Sequence, residues 1–133
     1  MLQADFTKYS LALLQDDRII FTSGSRGLRP LLDCLEKYRG QKDKLILHDK
    51  VIGLAAAKLV VYYGIIAGIQ TKLASRPAKE FLDANGIDIA AGAVVENILT
   101  GDRRAICPGE AIALKTADPE DFKKQIMVLL GKR

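Results

Sequence analysis

The chain has 133 residues, of which 49% are apolar and 27% charged, with a net charge of +4 and two cysteines. This composition excludes a disordered tail, and two cysteines are too few for a disulfide framework. Basic residues are interspersed with acids rather than forming a stripe with aromatic residues, so we expect no nucleic-acid partner. The length predicts a single domain over residues 1–133.

The start of the chain predicts a cytoplasmic protein, because residues 1–5 lack a basic segment followed by an apolar one. The run from Val51 to Ile69 contains Lys58 near its middle and is interrupted by Gly64 and Gly68. We interpret it as a helix, a turn and a strand, and expect no membrane partner.

The first elements predict a β-hairpin followed by a helix. Strands over residues 10–15 and 19–22 flank the turn at Asp16-Asp17. Leucines recur at helical spacing from Leu28, and Pro30 is tolerated in a first turn. We expect this helix to end near Gly40.

A third strand is predicted from Lys44 to His48, with Asp49 as the cap of a helix that begins near Lys50 or Val51. That helix, over residues 51–63, is apolar on nearly every face. We therefore expect other elements or a partner subunit to cover it, and a homo-oligomer is the expected assembly.

The remaining elements complete an α/β pattern. The sequence predicts a strand over 65–71, a helix capped by Ser75 that ends at Asn85-Gly86, a short strand over 87–89, a helix over 108–114 and a last helix opened by Asp118-Pro119. Residues 94–99 fit either a helix or a strand, and we favour the helix. Alternation after the opening hairpin predicts a mixed, largely parallel sheet.

Two segments carry a family resemblance, Gly-Ser-Arg-Gly-Leu-Arg-Pro-Leu-Leu at 24–32 and His-Asp-Lys-Val-Ile-Gly-Leu-Ala-Ala-Ala at 48–57. Together with Cys-Pro-Gly-Glu at 107–110, they resemble an uncharacterised prokaryotic family with a cytidine-deaminase-like fold. The resemblance implies a three-layer α/β fold, with a mixed five-stranded sheet and helices on both faces.

Zinc deaminases carry a His/Cys-x-Glu and a Pro-Cys-x-x-Cys at two helix starts. At those two places this chain has Ser25-Arg26-Gly27 and residues 49–52, which are Asp-Lys-Val-Ile. Since neither offers the ligands, we expect no metal, no other cofactor and no zinc-dependent deamination.

The leading hypothesis is a binding site for a nucleotide or phosphorylated ribose, such as ADP-ribose, where two helix starts converge. Free amide groups and the positive ends of helix dipoles attract an anion there. The candidate ligand-binding residues are Ser25, Arg26, Gly27, Asp49, Lys50 and Gly53. Plain turn chemistry at 24–27, a capping role for Asp49, a solvated Lys50 and helix packing at Gly53 remain open.

Three further residues are possible neighbours of this pocket. His48, the single histidine, is either hydrogen-bonded at the end of a strand or a general base. Cys107 is either a buried thiol or one activated by a helix start, and Glu110 is an acid favoured in a first helical turn.

Two other functions remain open. A metal-independent enzyme acting on a nucleotide-like substrate would use Lys50 as nucleophile or base, assisted by Asp49 or His48. A structural or regulatory oligomer would keep the fold without an active site.

Overall fold

The chain forms one mixed sheet and a group of helices in a computed structural model, which describes residues 2–41, 44–98 and 107–131. The strands are β1 (Leu11–Gln15), β2 (Arg18–Ser23), β3 (Leu45–Asp49), β4 (Val51–Ile52), β5 (Ile66–Ser75) and β6 (Asp88–Val95). The helices are α1 (Leu28–Lys37), α2 (Leu54–Tyr63), α3 (Arg76–Ala84), α4 (Pro108–Lys115) and α5 (Pro119–Leu129). Among the helices within the described ranges, none has the length and apolar character needed to cross a membrane.

The predicted hairpin and mixed sheet are confirmed. β1 pairs antiparallel with both β2 and β3, and Asp16 and Asp17 take the positive φ values that a tight hairpin turn requires. β5 pairs parallel with β3 and β4 on one side and with β6 on the other. Leu73 and Ala74 show this arrangement, since each pairs with a residue of β4 and with a residue of β6. The sheet has six strands rather than five, since the short β4 continues the line of β3.

The helices of the described residues pack on one face of the sheet, so the expectation of helices on both faces is wrong for this part of the chain. One buried cluster joins the sheet to all five helices, through side chains such as Leu13, Leu47, Leu32, Leu59, Leu82, Ala113 and Phe122. The crossovers from β2 to β3, β3 to β5 and β5 to β6 all advance across the sheet in one direction. Right-handed crossovers that advance in one direction place their helices on the same face.

The segment before β1 covers the second face of the sheet over β1 and β3. Phe6 and Tyr9 pack there on Ala12, Leu14 and Ile46. These positions alternate along the strands with leucines that face the helices, as the period of a pleated strand requires.

Two boundaries differ from the sequence prediction because strand pairing extends further than local signals indicate. Asp49 does not cap α2: the chain re-enters the sheet at β4, and α2 begins at Leu54 after Gly53. Val94 and Val95, expected in a helix, pair with Ala74 and Ser75 as the end of β6. Residue 99 of that expected helix lies outside the described residues.

Candidate functional site

A cavity of about 550 Å³ lies at the carboxyl end of β3, where parallel strands commonly present ligand sites. Its wall is formed by the start of β1, the loop before α1, the end of β3, the starts of α2 and α4, and Ile98. Most of the wall is apolar, through Leu11, Leu28, Pro30, Val51, Ala56 and Ile98. A few polar groups interrupt it, which is typical of small-molecule sites.

The structure brings most of the candidate residues from the sequence together around this cavity. Lining residues include Ser25, Arg26, Gly27, Asp49, Lys50, Gly53, Cys107 and Glu110. His48 does not line it, because successive side chains of β3 point to opposite faces of the sheet.

The loop before α1 is fixed by Ser10. The Ser10 hydroxyl lies 2.9 Å and 2.5 Å from the carbonyl oxygens of Ser23 and Ser25, which share its single proton, and the Ser25 amide donates to the Ser23 hydroxyl. These bonds hold the backbone of Ser25 while Arg26 and Gly27 remain exposed at the cavity rim.

The start of α1 is open. Gly27, its N-cap, has φ +85° and no side chain with which to cap the helix, and no side chain among residues 2–41, 44–98 and 107–131 is seen bonded to the first-turn amides. The first turn also contains no acidic residue. Its amide groups and the positive end of the helix dipole therefore face the cavity rim, and no carboxylate of the described residues is seen bonded to them.

The start of α2 is closed by Glu110. The buried Glu110 carboxylate accepts hydrogen bonds from the amides of Leu54 and Ala55, both at 2.8 Å. Gly53 makes this approach possible, since a Cβ there would lie 2.3 Å from Glu110 Oε1. The two free helix starts expected from the sequence are therefore reduced to one.

α2 and α4 are joined a second time through Lys58. Its ammonium group donates to the carbonyl oxygens of Ala113 and Thr116 at 2.6 and 2.8 Å, at the end of α4, and lies 5.5 Å from the centre of the Phe122 ring. Burial lowers the pKa of Lys58, while the charge of Glu110 opposes that shift. Lys58, the single charged residue of the apolar α2, thus donates hydrogen bonds to the carbonyl groups at the end of α4.

Asp49 and Lys50 lie side by side on the cavity wall. Burial raises the pKa of the Asp49 carboxyl to about 8, and hydrogen bonds from the Val51 and Lys50 amides only partly oppose that shift. This shift favours the protonated form of the carboxyl, which can donate a hydrogen bond. The Lys50 main chain is held between strands: its amide donates to Ser10, and its carbonyl oxygen accepts from Leu73.

His48 lies on the second face of the sheet. It is fully buried, and its Nδ1 is 2.8 Å from the hydroxyl of Tyr9, which also accepts the Asp5 amide. Burial lowers the pKa of His48. The structural role of His48 therefore has a specific partner, Tyr9, and His48 is not among the residues that line the cavity.

The two cysteines differ in environment. Cys34 is buried in the helical core, and burial, followed by the nearby Asp49 charge, raises its thiol pKa to about 12. Cys107 is half-buried on the cavity wall, at the N-cap of α4. Cys107 is thus the thiol that a reagent entering the cavity would meet.

The donor set of the cavity does not fit zinc. Both oxygens of Glu110 are bonded to backbone amides, and no group of three or more potential metal ligands occurs within the ranges that the structure describes. The sequence reasoning also missed Ser10 and Ile98. No local signal marks either one, because hairpin register brings Ser10 beside Ser25, and the turn of the chain after β6 brings Ile98 to the wall.

Comparison with known proteins supports the fold. The crystal structure of a DUF1893 family protein (TM1506) from Thermotoga maritima is similar to this chain, with a TM-score of 0.80 and 24% identity over 92% of this chain and 82% of that one. The comparison with curated proteins gave no match. The model of the TM1506 family, a domain of unknown function (DUF1893), matches residues 3–129. The chain therefore belongs to the DUF1893 family.

Proposed function

We propose that this chain is a zinc-free, cytidine-deaminase-like domain that binds a nucleotide or phosphorylated ribose, such as ADP-ribose, in the cavity at the end of β3. The observation that carries the proposal is the meeting of a cationic loop, an open helix start and an apolar wall around one cavity of about 550 Å³. That volume lies within the range of small-molecule sites.

The phosphate is expected at the start of α1. Arg26 offers paired N–H donors, the Ser25 hydroxyl lies beside it, and Gly27 lets a ligand approach the backbone closely. The uncapped amides of the first turn add donors and a partial positive charge. Lys50, which also lines the cavity, supplies a second cation.

The remainder of the ligand is expected against the apolar wall. Leu11, Val51 and Ile98 offer surface for a ribose or a base, and Asp49 is the polar group among them. A protonated Asp49 donates to a carbonyl or ring nitrogen, and an ionised one accepts from ribose hydroxyl groups. Asp49 would therefore contact the ribose or base rather than the phosphate, and would contribute to the choice among ligands that differ in those groups.

The cytidine-deaminase-like frame is proposed from its topology. An antiparallel β1 lies between β2 and β3, followed by parallel strands, and the helices after β2 and β3 both start at the cavity. Glu110 occupies the second of these helix starts, where a zinc deaminase presents cysteine ligands. This substitution of a capping carboxylate for metal ligands supports a binding role over deamination.

The test is thermal stabilisation of the purified chain by AMP, ADP, ADP-ribose, ribose 5-phosphate and inorganic phosphate. A ligand at a hundred times its dissociation constant adds about 2.7 kcal/mol, which raises the melting temperature by several degrees. We expect a nucleotide or ribose phosphate to give this shift. The same ligand should slow alkylation of Cys107, because that thiol lines the cavity.

Matched variants make the test specific. Arg26→Ala and Lys50→Ala should abolish the shift, whereas Arg18→Ala on β2 and Lys72→Ala on β5 should preserve it, since neither lines the cavity. If no phosphate compound shifts the melting temperature, or if all four variants respond alike, the binding proposal is wrong. The structural or regulatory function would then be favoured.

A further inference from the structure

The starts of three helices meet beside the cavity. Gly109, in the first turn of α4, leaves room for the other two: a Cβ there would lie 2.7 Å from Leu28 Cδ1 and 3.7 Å from Ala55 Cβ. Leu28 is the first residue of α1, Ala55 lies in the first turn of α2, and Glu110 follows Gly109 directly. The Glu110 carboxylate is therefore close to the start of α1, where the phosphate of the proposed ligand is expected.

Glu110 brings a negative charge to this junction. The residue is 5% exposed, and both of its carboxylate oxygens accept amide hydrogens of α2. Among the described residues no cation forms an ion pair with it. The Glu110 charge opposes the lowering of the Lys58 pKa by burial, but the Lys58 ammonium donates to carbonyl groups at the opposite end of α4. A neighbouring ion pair therefore does not cancel the charge of Glu110.

We propose that Glu110 determines where the ligand carries its negative charge: the phosphate groups lie together at the start of α1, and the remainder of the ligand is not anionic. This inference rests on the proposed binding function. A second, separate phosphate directed to α2 would find its amide donors already bonded to a carboxylate. It would also meet a like charge where little water is present, which is strongly unfavourable.

The ligand class that follows is a nucleoside or ribose phosphate with one phosphate or one contiguous diphosphate. A compound phosphorylated at two separate positions is excluded. Arg26 and Lys50, the two cations on the described cavity wall, fit a single group of this charge.

Asp49, the other acid on the described cavity wall, is a weaker source of repulsion. Burial raises the pKa of its carboxyl to about 8, which favours the neutral form. A neutral carboxyl can also donate a hydrogen bond to a phosphate oxygen. Repulsion of a second phosphate is thus assigned to Glu110, and substitution of Glu110 is the direct test.

Two isomeric nucleotides make the test, ADP and adenosine 3′,5′-bisphosphate, which differ only in where the second phosphate is attached. We expect calorimetric titration of the wild type to give a dissociation constant at least about tenfold lower for ADP. Glu110→Gln removes the charge and nearly keeps the side-chain volume, so the ratio should fall below about threefold. Glu80→Ala, which removes an exposed acid on α3, is the matched control and should keep the ratio of the wild type.

A second variant tests the carboxylate without any nucleotide. Glu110→Ala leaves the Leu54 and Ala55 amides without their acceptor, and formate is a small carboxylate that can replace it. Sodium formate, compared with sodium chloride at the same concentration, should raise the melting temperature of Glu110→Ala more than that of Glu80→Ala. Equal effects on the two variants would show that the start of α2 does not attract an anion, and would overturn the proposal.

The nucleotide titrations separate this inference from the binding function. If AMP and ADP bind but adenosine 3′,5′-bisphosphate binds the wild type equally well, the assignment to Glu110 is wrong and the binding function stands. The same holds if the preference for ADP survives Glu110→Gln. If AMP, ADP and ribose 5-phosphate all fail to bind, the binding function is wrong and this inference falls with it.

Discussion

The starts of α1 and α2 face the same cavity, but among the described residues only α2 has a carboxylate bonded to its first amides. α1 begins after Gly27 without a side-chain cap, and its amides face the cavity rim. α2 also lacks a cap from its own segment, yet two of its amides are bonded to Glu110. Two helix starts that look equivalent in sequence therefore differ in what they can bind.

The difference arises from a contact between distant parts of the chain. Glu110 lies 56 residues after Leu54, in the first turn of α4, and it reaches α2 across the position of Gly53. A carboxylate at a helix start satisfies the same donors that a bound anion would satisfy. The protein thus supplies its own anion to α2, whereas no such carboxylate is seen at the start of α1 among the described residues.

The largest effect is expected from removing the carboxylate that closes α2. Glu110→Ala leaves two buried amides without acceptors and should lower the free energy of unfolding by about 3 kcal/mol. Urea denaturation monitored by circular dichroism measures this loss. The control is Glu80→Ala, an exposed acid on α3, which should change the stability by less than about 0.5 kcal/mol. Equal effects of the two substitutions would show that Glu110 does not stabilise α2.

A smaller effect is expected from Gly53→Ala. The added methyl group would meet Glu110 Oε1 at 2.3 Å and push the carboxylate off its amide donors, at a cost of about 2 kcal/mol. The matched control is Gly24→Ala, where a Cβ meets nothing within 4 Å.

A double-mutant cycle separates this mechanism from a general strain at Gly53. In a chain that already carries Glu110→Ala, the methyl group has no carboxylate to displace. Gly53→Ala should then cost at least about 1 kcal/mol less than in the wild type. Additive losses would place the clash elsewhere.

Helix caps formed by neighbouring residues could be predicted from the sequence. Ser75 accepts the Ala78 amide, and Asp118 accepts the Asp121 amide, as a side chain three residues before its donor can do wherever the helix packs. Asp49 has the same chemistry but no helix start beside it. The backbone of Lys50 is bonded to Ser10 and Leu73, so the chain continues in the sheet before α2 begins.

Features that depend on strand order were predicted less well. Ile87–Ile89 indicated only a short strand, because the small residues that follow have weak strand propensity and are held by pairing with β5. The side of the sheet that carries the helices also follows from strand order, which the alternation of elements does not specify. The candidate residues of the cavity were predicted because they directly follow strands or precede helices, where open α/β sheets expose polar groups.

The smallest effect concerns Asp49, the second carboxyl at the cavity, where hydrogen bonds from the Val51 and Lys50 amides only partly oppose the effect of burial. Its pKa is about 8 in the folded chain against an ordinary 3.8, so between these values the folded state retains a proton that the unfolded state has lost. The contribution of this group to the free energy of unfolding is therefore fully present at low pH and is lost as the pH rises to about 8.

Asp49→Asn stays neutral and should not show this loss. Relative to the wild type it should gain about 1 kcal/mol between about pH 5 and about pH 9, a value reduced because the cavity admits water. Urea denaturation of both proteins at the two pH values isolates the contribution of Asp49, since every other titrating group is shared. A difference that does not change with pH would mean that the Asp49 carboxyl is already ionised in the folded protein. The cavity would then present an anion beside Lys50, and the phosphate of the proposed ligand would be expected only at the start of α1.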